Sequence, residues 1–173
     1  YKLKVSSLSK SFTLHNRGGT HVSGFSDVSF EVSPGELLAL HGPSGAGKSS
    51  ILKSIYRTYR PQSGTVLFNR KNGTSIDLVS CTESGILDLR RREIGFVTQF
   101  LKILPRISAL DVVAQPLIEC GETHKSALEK AKDFLGRLGI RKELFDLSPL
   151  TFSGGEQQRV NIARATIAPK ELI

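Results

Sequence analysis

Methionine is absent from the 173 residues, cysteine occurs only twice, and no apolar run approaches the ~20 residues that a membrane-crossing helix needs. Each absence narrows the reading. A chain without methionine that begins at Tyr1, a residue too large for routine removal of an initiator ahead of it, is expected to be an excised piece. No charged stretch leads into an apolar one with a small-residue cleavage site, so nothing directs secretion and a cytoplasmic setting is expected. Cys81 and Cys120 have no second cysteine or histidine at ligand spacing, which argues against zinc; a disulfide would be unusual in that compartment, so they read as two idle thiols. No repeat, low-complexity tract or linker interrupts the chain, so residues 1–173 read as a single domain. The net charge of +8 raises the question of nucleic acid, with Arg70-Lys71 and Arg90-Arg91-Arg92 as its basic clusters. No aromatic residue interleaves with the arginines as a base-stacking platform requires. They read as solvated surface, and nucleic acid is not an expected partner.

What is present is concentrated at Gly42-Pro43-Ser44-Gly45-Ala46-Gly47-Lys48-Ser49, which satisfies the pattern G-x-x-x-x-G-K-[ST] at every specified position. The apolar run Leu37-Leu38-Ala39-Leu40 before it reads as a buried strand, and Ser50 to Tyr56 after it carries apolar residues at helical spacing. That strand, loop and helix order is the context a phosphate-binding loop requires. The glycines let successive N–H groups turn inward, and the helix beginning near Lys48 adds its positive end. Lys48 supplies a full charge to the β- and γ-phosphates, and the Ser49 hydroxyl sits where Mg²⁺ bridges them. Gly42 through Ser50 are therefore the candidate contacts to a nucleoside triphosphate.

Around this loop the sequence predicts strands over Tyr1–Val5, Val28–Val32, Thr65–Phe68 and Ile76–Val79, with turns at Asn16–Gly19, Ser33–Glu36 and Pro61–Gly64. A further strand, Ile94–Gln99, ends in a polar side chain at the tip, where ligand contacts sit in parallel α/β sheets; Gln99 is a candidate for that reason. From Ser108 the pattern turns helical: Ser108 caps one helix, and Thr123 caps another that Gly139 stops, with Ala127, Leu128, Ala131, Phe134, Leu135 and Leu138 on one face. The region over about 100–155 thus reads as an inserted helical subdomain. Ser153-Gly154-Gly155 then caps a helix whose apolar face carries Val160, Ala163 and Ile167, a second candidate anion site.

A phosphate loop at 42–49, Gln99 at a strand end, a helical insert and then Ser153-Gly154-Gly155-Glu156-Gln157-Gln158-Arg159 resemble, in that order, the ATP-binding subunit of ABC systems over the whole chain. The resemblance implies an α/β fold of the ABC ATPase type: a P-loop NTPase core with an N-terminal antiparallel β subdomain and an inserted helical subdomain. It implies ATP and Mg²⁺ as cofactors and a second ABC subunit, identical or related, whose signature closes over the γ-phosphate. On it Gln99 touches Mg²⁺ and the attacking water, Ser153, Gly154 and Gly155 reach ATP across the dimer, and Phe12 stacks on adenine. Phe152 stands where the family usually has leucine and Glu156 where glutamine is commonest. The family's next strand, with the Asp and Glu that support Mg²⁺ and polarise water, would begin near Glu171–Ile173; the resemblance implies that these residues alone turn over little ATP and leave a sheet edge open.

Within the family, Thr98 to Leu110, the signature segment and His41 before the phosphate loop are similar to the PhnL-type proteins of the bacterial carbon-phosphorus lyase system for phosphonate use. That likeness implies lyase components as partners. The alternative is the nucleotide-binding subunit of a membrane transporter of the lipoprotein-releasing type, with a permease as partner. A P-loop kinase would give no reason for Ser153-Gly154-Gly155.

Overall fold

Apolar and polar residues alternate through strand β1 (Leu3–Leu14), and the positions that become buried are Leu3, Val5 and Leu8. The step from odd to even numbers has a local cause. Ser7 sits at φ 46°, an extra residue that interrupts pairing between Val5 and Leu8 and flips the inward face. Strand β2 (Thr20–Val32) does the same in reverse: Val32 and Phe25 are buried, and Asp27 at φ 48° lies between them. Ser9 and Ser29 hydroxyls accept the N–H groups of Asp27 and Ser7, so both irregular residues are satisfied. The computed structural model describes residues 1–14 and 20–173, and the turn expected at Asn16–Gly19 lies outside them.

The chain divides into two compact units, Tyr1–Asp88 and Leu89–Ile173. In the first, β3 (Ser63–Asn69) and β4 (Ser75–Asp77) complete an antiparallel sheet in the order β2-β1-β3-β4, with Val66 and Phe68 of β3 buried. Helix α1 (Lys48–Ile55) buries Ile51, Ser54 and Ile55. Just beyond it Arg57 takes φ 61°, and its buried guanidinium donates to the carbonyls of Leu78 (2.7 Å) and Cys81 (3.2 Å) and to the Glu83 carboxylate. A buried cation is tolerable only with such partners. Burial pushes the pKa of Asp77 up, but the N–H groups of Val66 and Val79 and the Ser80 hydroxyl outweigh it and hold the carboxyl below its ordinary range. Helix α2 (Glu83–Arg92), which the sequence pattern did not announce, starts on Thr82, whose hydroxyl accepts the Gly85 N–H.

In the second unit α3 (Ala109–Glu119), α4 (His124–Arg137) and α5 (Gly154–Thr166) begin on the side chains of Ser108, Thr123 and Ser153, as their caps predict. Gly139, at φ 73°, follows the end of α4. The three helices share one core, in which Val113, Leu117, Ala127, Ala131, Leu135, Val160 and Ala163 are almost wholly buried. Burial of each such Leu or Val contributes about 1.5–3 kcal/mol.

Two expected strands are not formed among the described residues. Leu37–Leu40 has no ladder partner, and Leu37 is 96% exposed. Ile94–Gln99 makes one parallel bridge, Ile94 to Leu172, supported by the Gly95 N–H on the Leu172 carbonyl (2.8 Å). A strand exists only where a neighbour completes its hydrogen bonds, and apolar character alone does not supply one.

Candidate functional site

In the first unit a cavity of about 570 Å³ is lined by Phe12, Val22, Ser23 and Gly24 from the β1–β2 pair and by Ser44, Gly45, Gly47, Lys48, Ser49 and Ser50 from the loop and first turn of α1. Seven residues singled out in the sequence therefore meet on one surface. Gly42, Pro43 and Ala46 form the rest of the loop, with the Ala46 N–H on the Pro43 carbonyl (3.3 Å). Gly47 stands at φ 84°, where a side chain would be strained, and a Cβ built there would lie 2.0 Å from the Gly24 carbonyl oxygen.

The start of α1 differs from the other helix starts. Its N-cap, Gly47, offers no side-chain acceptor, and its first turn holds no acidic residue. The leading N–H groups are thus left to an external acceptor, at the positive end of the helix. Lys48 Nζ donates to the carbonyls of Gly42 (2.8 Å) and Pro43 (2.6 Å), so the loop holds the cation across its own mouth. This combination of bare N–H groups and a tethered ammonium fits a polyphosphate. Ser49, exposed at the first turn, offers a hydroxyl to a metal carried on that phosphate. No group of three or more acidic, histidine or cysteine side chains that could hold a metal by itself occurs among the described residues.

The other candidates belong to the second unit. Gln99 is exposed, in a bend next to Phe100, which is 70% exposed. Ser153, Gly154 and Gly155 are exposed at the start of α5, but here the end carries a side-chain cap. The Glu156 carboxylate accepts from the Ser153 hydroxyl (2.7 Å) and N–H (3.0 Å), while Ser153 Oγ accepts the Glu156 N–H (3.4 Å). The Ser153 hydroxyl, then its N–H, with the charges of Arg141 and Arg159 behind them, hold the Glu156 carboxyl below the usual range. Phe152, in place of leucine, is buried in the helical core.

Asn161 escaped the sequence reading. It is almost fully buried in α5, and its amide donates to the Thr98 carbonyl (2.6 Å), tying the residue before Gln99 to the signature helix. An asparagine beside the apolar positions Val160 and Ala163, which are buried with it, was the available signal. Close by, Lys102, Ile103, Leu104, Arg106, Ile107, Asp111, Val112, Gln115 and Arg164 line an open groove of about 810 Å³. No helix among the described residues is long and apolar enough to cross a membrane.

The family model described as "ABC transporter" matches residues 25–173. The lipoprotein-releasing system ATP-binding protein LolD of Hyphomonas neptunium is 38% identical over 161 residues, covering 93% of this chain and 68% of its own length. LolD of Geobacter metallireducens is 36% identical over 171 residues, covering 99% of this chain and 72% of that protein. Among solved structures, the dimeric ATP-binding cassette MJ0796 in a post-hydrolysis state bound to ADP and Pi matches with a TM-score of 0.83 at 28% identity, over 95% of this chain and 69% of that one. The finer expectation of a carbon-phosphorus lyase protein finds no support in these relatives, whose names match the transporter alternative better. The α/β fold expected from the motifs is the one these structures share, and the chain belongs to the ABC transporter ATP-binding family.

Proposed function

We propose that this chain is the ATP-binding part of an ABC subunit that hydrolyses ATP as a head-to-tail pair, with a membrane permease of the lipoprotein-releasing type as its further partner. The observation that carries the reading is that one cavity is lined by both the aromatic Phe12 and the uncapped start of α1 with Lys48, so that a ring for a base and a site for phosphates share one surface. Residues 1–173 act as one ATP-binding domain, with 100–155 as its helical part. Gly42 through Ser50 cradle the phosphates, Lys48 neutralises their charge, Ser49 and Gln99 receive Mg²⁺, and Phe12 stacks on the base. When bound, Mg²⁺ would supply charge neutralisation for the phosphates. Ser153, Gly154 and Gly155 serve the nucleotide of the second subunit, a role supported by the dimeric cassettes the fold matches. Turnover belongs to the full-length protein in the cytoplasm, and residues 1–173 alone bind ATP but hydrolyse it near background.

The groove from Lys102 to Arg164 supports the permease assignment: Leu104 is 71% exposed there, and the apolar side chains of Ile103, Ile107 and Val112 share it with the basic Lys102, Arg106 and Arg164. A second reading, an accessory subunit of the carbon-phosphorus lyase complex, is favoured by one observation, the run Thr98 to Leu110 with His41 before the phosphate loop. Purification of the tagged full-length protein from its own cells in mild detergent decides between them. Recovery of a membrane permease supports the first, and recovery of lyase components in the soluble fraction replaces it with the second.

A further inference from the structure

The β1–β2 ladder pairs Lys10 with Phe25 and then Ser11 with Ser23, which leaves Gly24 as an extra residue on β2, a β-bulge. Three contacts converge on it. A Cβ built at Gly24 would lie 2.6 Å from Phe12 Cε2 and 2.9 Å from the Lys10 carbonyl oxygen, so the Phe12 ring occupies the space a side chain would need. The Gly24 carbonyl in turn abuts Gly47, the residue that opens α1. The bulge therefore touches the aromatic ring and the phosphate loop at once.

Tyr59, beyond the end of α1, holds the same ring from another direction. It meets Phe12 edge to face, with centroids 5.1 Å apart and planes at 77°. Lys10 Nζ lies 5.4 Å from the centre of the Phe12 ring, and Lys53 Nζ 5.4 Å from that of Tyr59. A lone phenylalanine on a strand near the sheet edge would lose rotational freedom when a base stacked on it. A ring already fixed by a bulge and a neighbouring aromatic gives up less.

We propose that Gly24 and Tyr59 are positioning residues for the nucleotide base: together they hold the Phe12 ring at a set distance from the phosphate loop. The proposal rests on the reading of this cavity as a nucleotide site and adds the parts that fix its span. Gly24 acts by having no side chain and by its carbonyl contact with Gly47. Tyr59 acts by its ring edge against Phe12.

The test is calorimetry on the full-length protein with MgATP and with magnesium tripolyphosphate, which carries the phosphates without a base. Tyr59→Leu is expected to weaken ATP roughly three- to tenfold, a fraction of the loss a whole stacked base accounts for, and to leave tripolyphosphate unchanged, while Gly24→Ala, whose carbonyl abuts Gly47, is expected to weaken ATP by more than it weakens tripolyphosphate. In a Phe12→Ala background Tyr59→Leu adds nothing. Equal losses for ATP and tripolyphosphate, or an undiminished effect of Tyr59→Leu without Phe12, mean that the two residues serve the fold alone and overturn the proposal. Tyr59 is half-exposed, so that variant keeps the test alive if Gly24→Ala fails to fold. If Phe12→Ala costs ATP affinity while neither positioning variant does, only this inference falls; if Phe12→Ala itself changes nothing, the base end of the cavity has been misread and both readings fall.

Discussion

Helices α1 and α5 both begin at paired or clustered glycines in a segment rich in serine, and they solve the same problem in opposite ways. Every helix start leaves N–H groups without internal partners. At α5, Ser153 and Glu156 close on each other in a capping box, and the carboxylate adds a negative charge to the positive end. At α1 no side chain caps the end, no acid enters the first turn, and the nearby cation is held by loop carbonyls. One start carries its own side-chain cap and negative charge; the other carries neither and suits an anion from outside. Two glycine-rich starts thus differ in their demand for phosphate.

The largest effect that would break this comparison is expected at α5 in the assembled pair. Ser153→Arg should leave ATP binding by single subunits intact and abolish ATP-dependent dimerisation, because its bulk would fill the surface proposed to face the partner's nucleotide. Light scattering with and without ATP reads the outcome, and an undiminished dimer removes Ser153 from the interface. Next comes Lys48→Ala at α1, which should weaken ATP by about 1.5–3 kcal/mol, the range for a hydrogen bond to a charged group, with little change in melting. Unchanged affinity by calorimetry refutes the phosphate role. The smallest effect concerns pH, and it sharpens the contrast because, of the two helices, only α5 has an acidic residue in its first turn. Glu156 has a depressed folded pKa, so its stabilisation is full above the ordinary glutamate value and is lost as pH falls through the lower folded value. Chemical denaturation across that window should show a small acid-side decline that Glu156→Gln flattens; an identical profile in the variant shows that the cap is insensitive to its charge.

The same contrast explains what could be read from the sequence. Caps are local, so Ser108, Thr123 and Ser153 announced their helices within a few residues, and the phosphate loop announced itself by spacing. Strands are not local. Leu37–Leu40 and Ile94–Gln99 have the composition of buried strands, yet among the described residues the first has no partner and the second only the bridge at Ile94. Arg57 gave no warning either, since neither its left-handed backbone nor its burial follows from a basic residue after a helix. Of the candidate site, the phosphate end was legible from the motif, whereas Gly24 and Tyr59 became visible only through register and ring contact, which depend on residues far apart in the chain.

The irregular residues of the first strand pair also bear on how the chain finds its fold. A regular hairpin slides by two residues and keeps its apolar face inward, which makes misregistered pairings cheap and slow to correct. Here Ser7, Gly24 and Asp27 interrupt the ladder at three separate points, and each interruption fits only the residue opposite it. A slide of two would move all three off their partners and strand the Ser9 and Ser29 hydroxyls that satisfy two of them. The pair therefore closes in one register or not at all, so a folding chain meets few long-lived wrong alignments on the strand that carries Phe12.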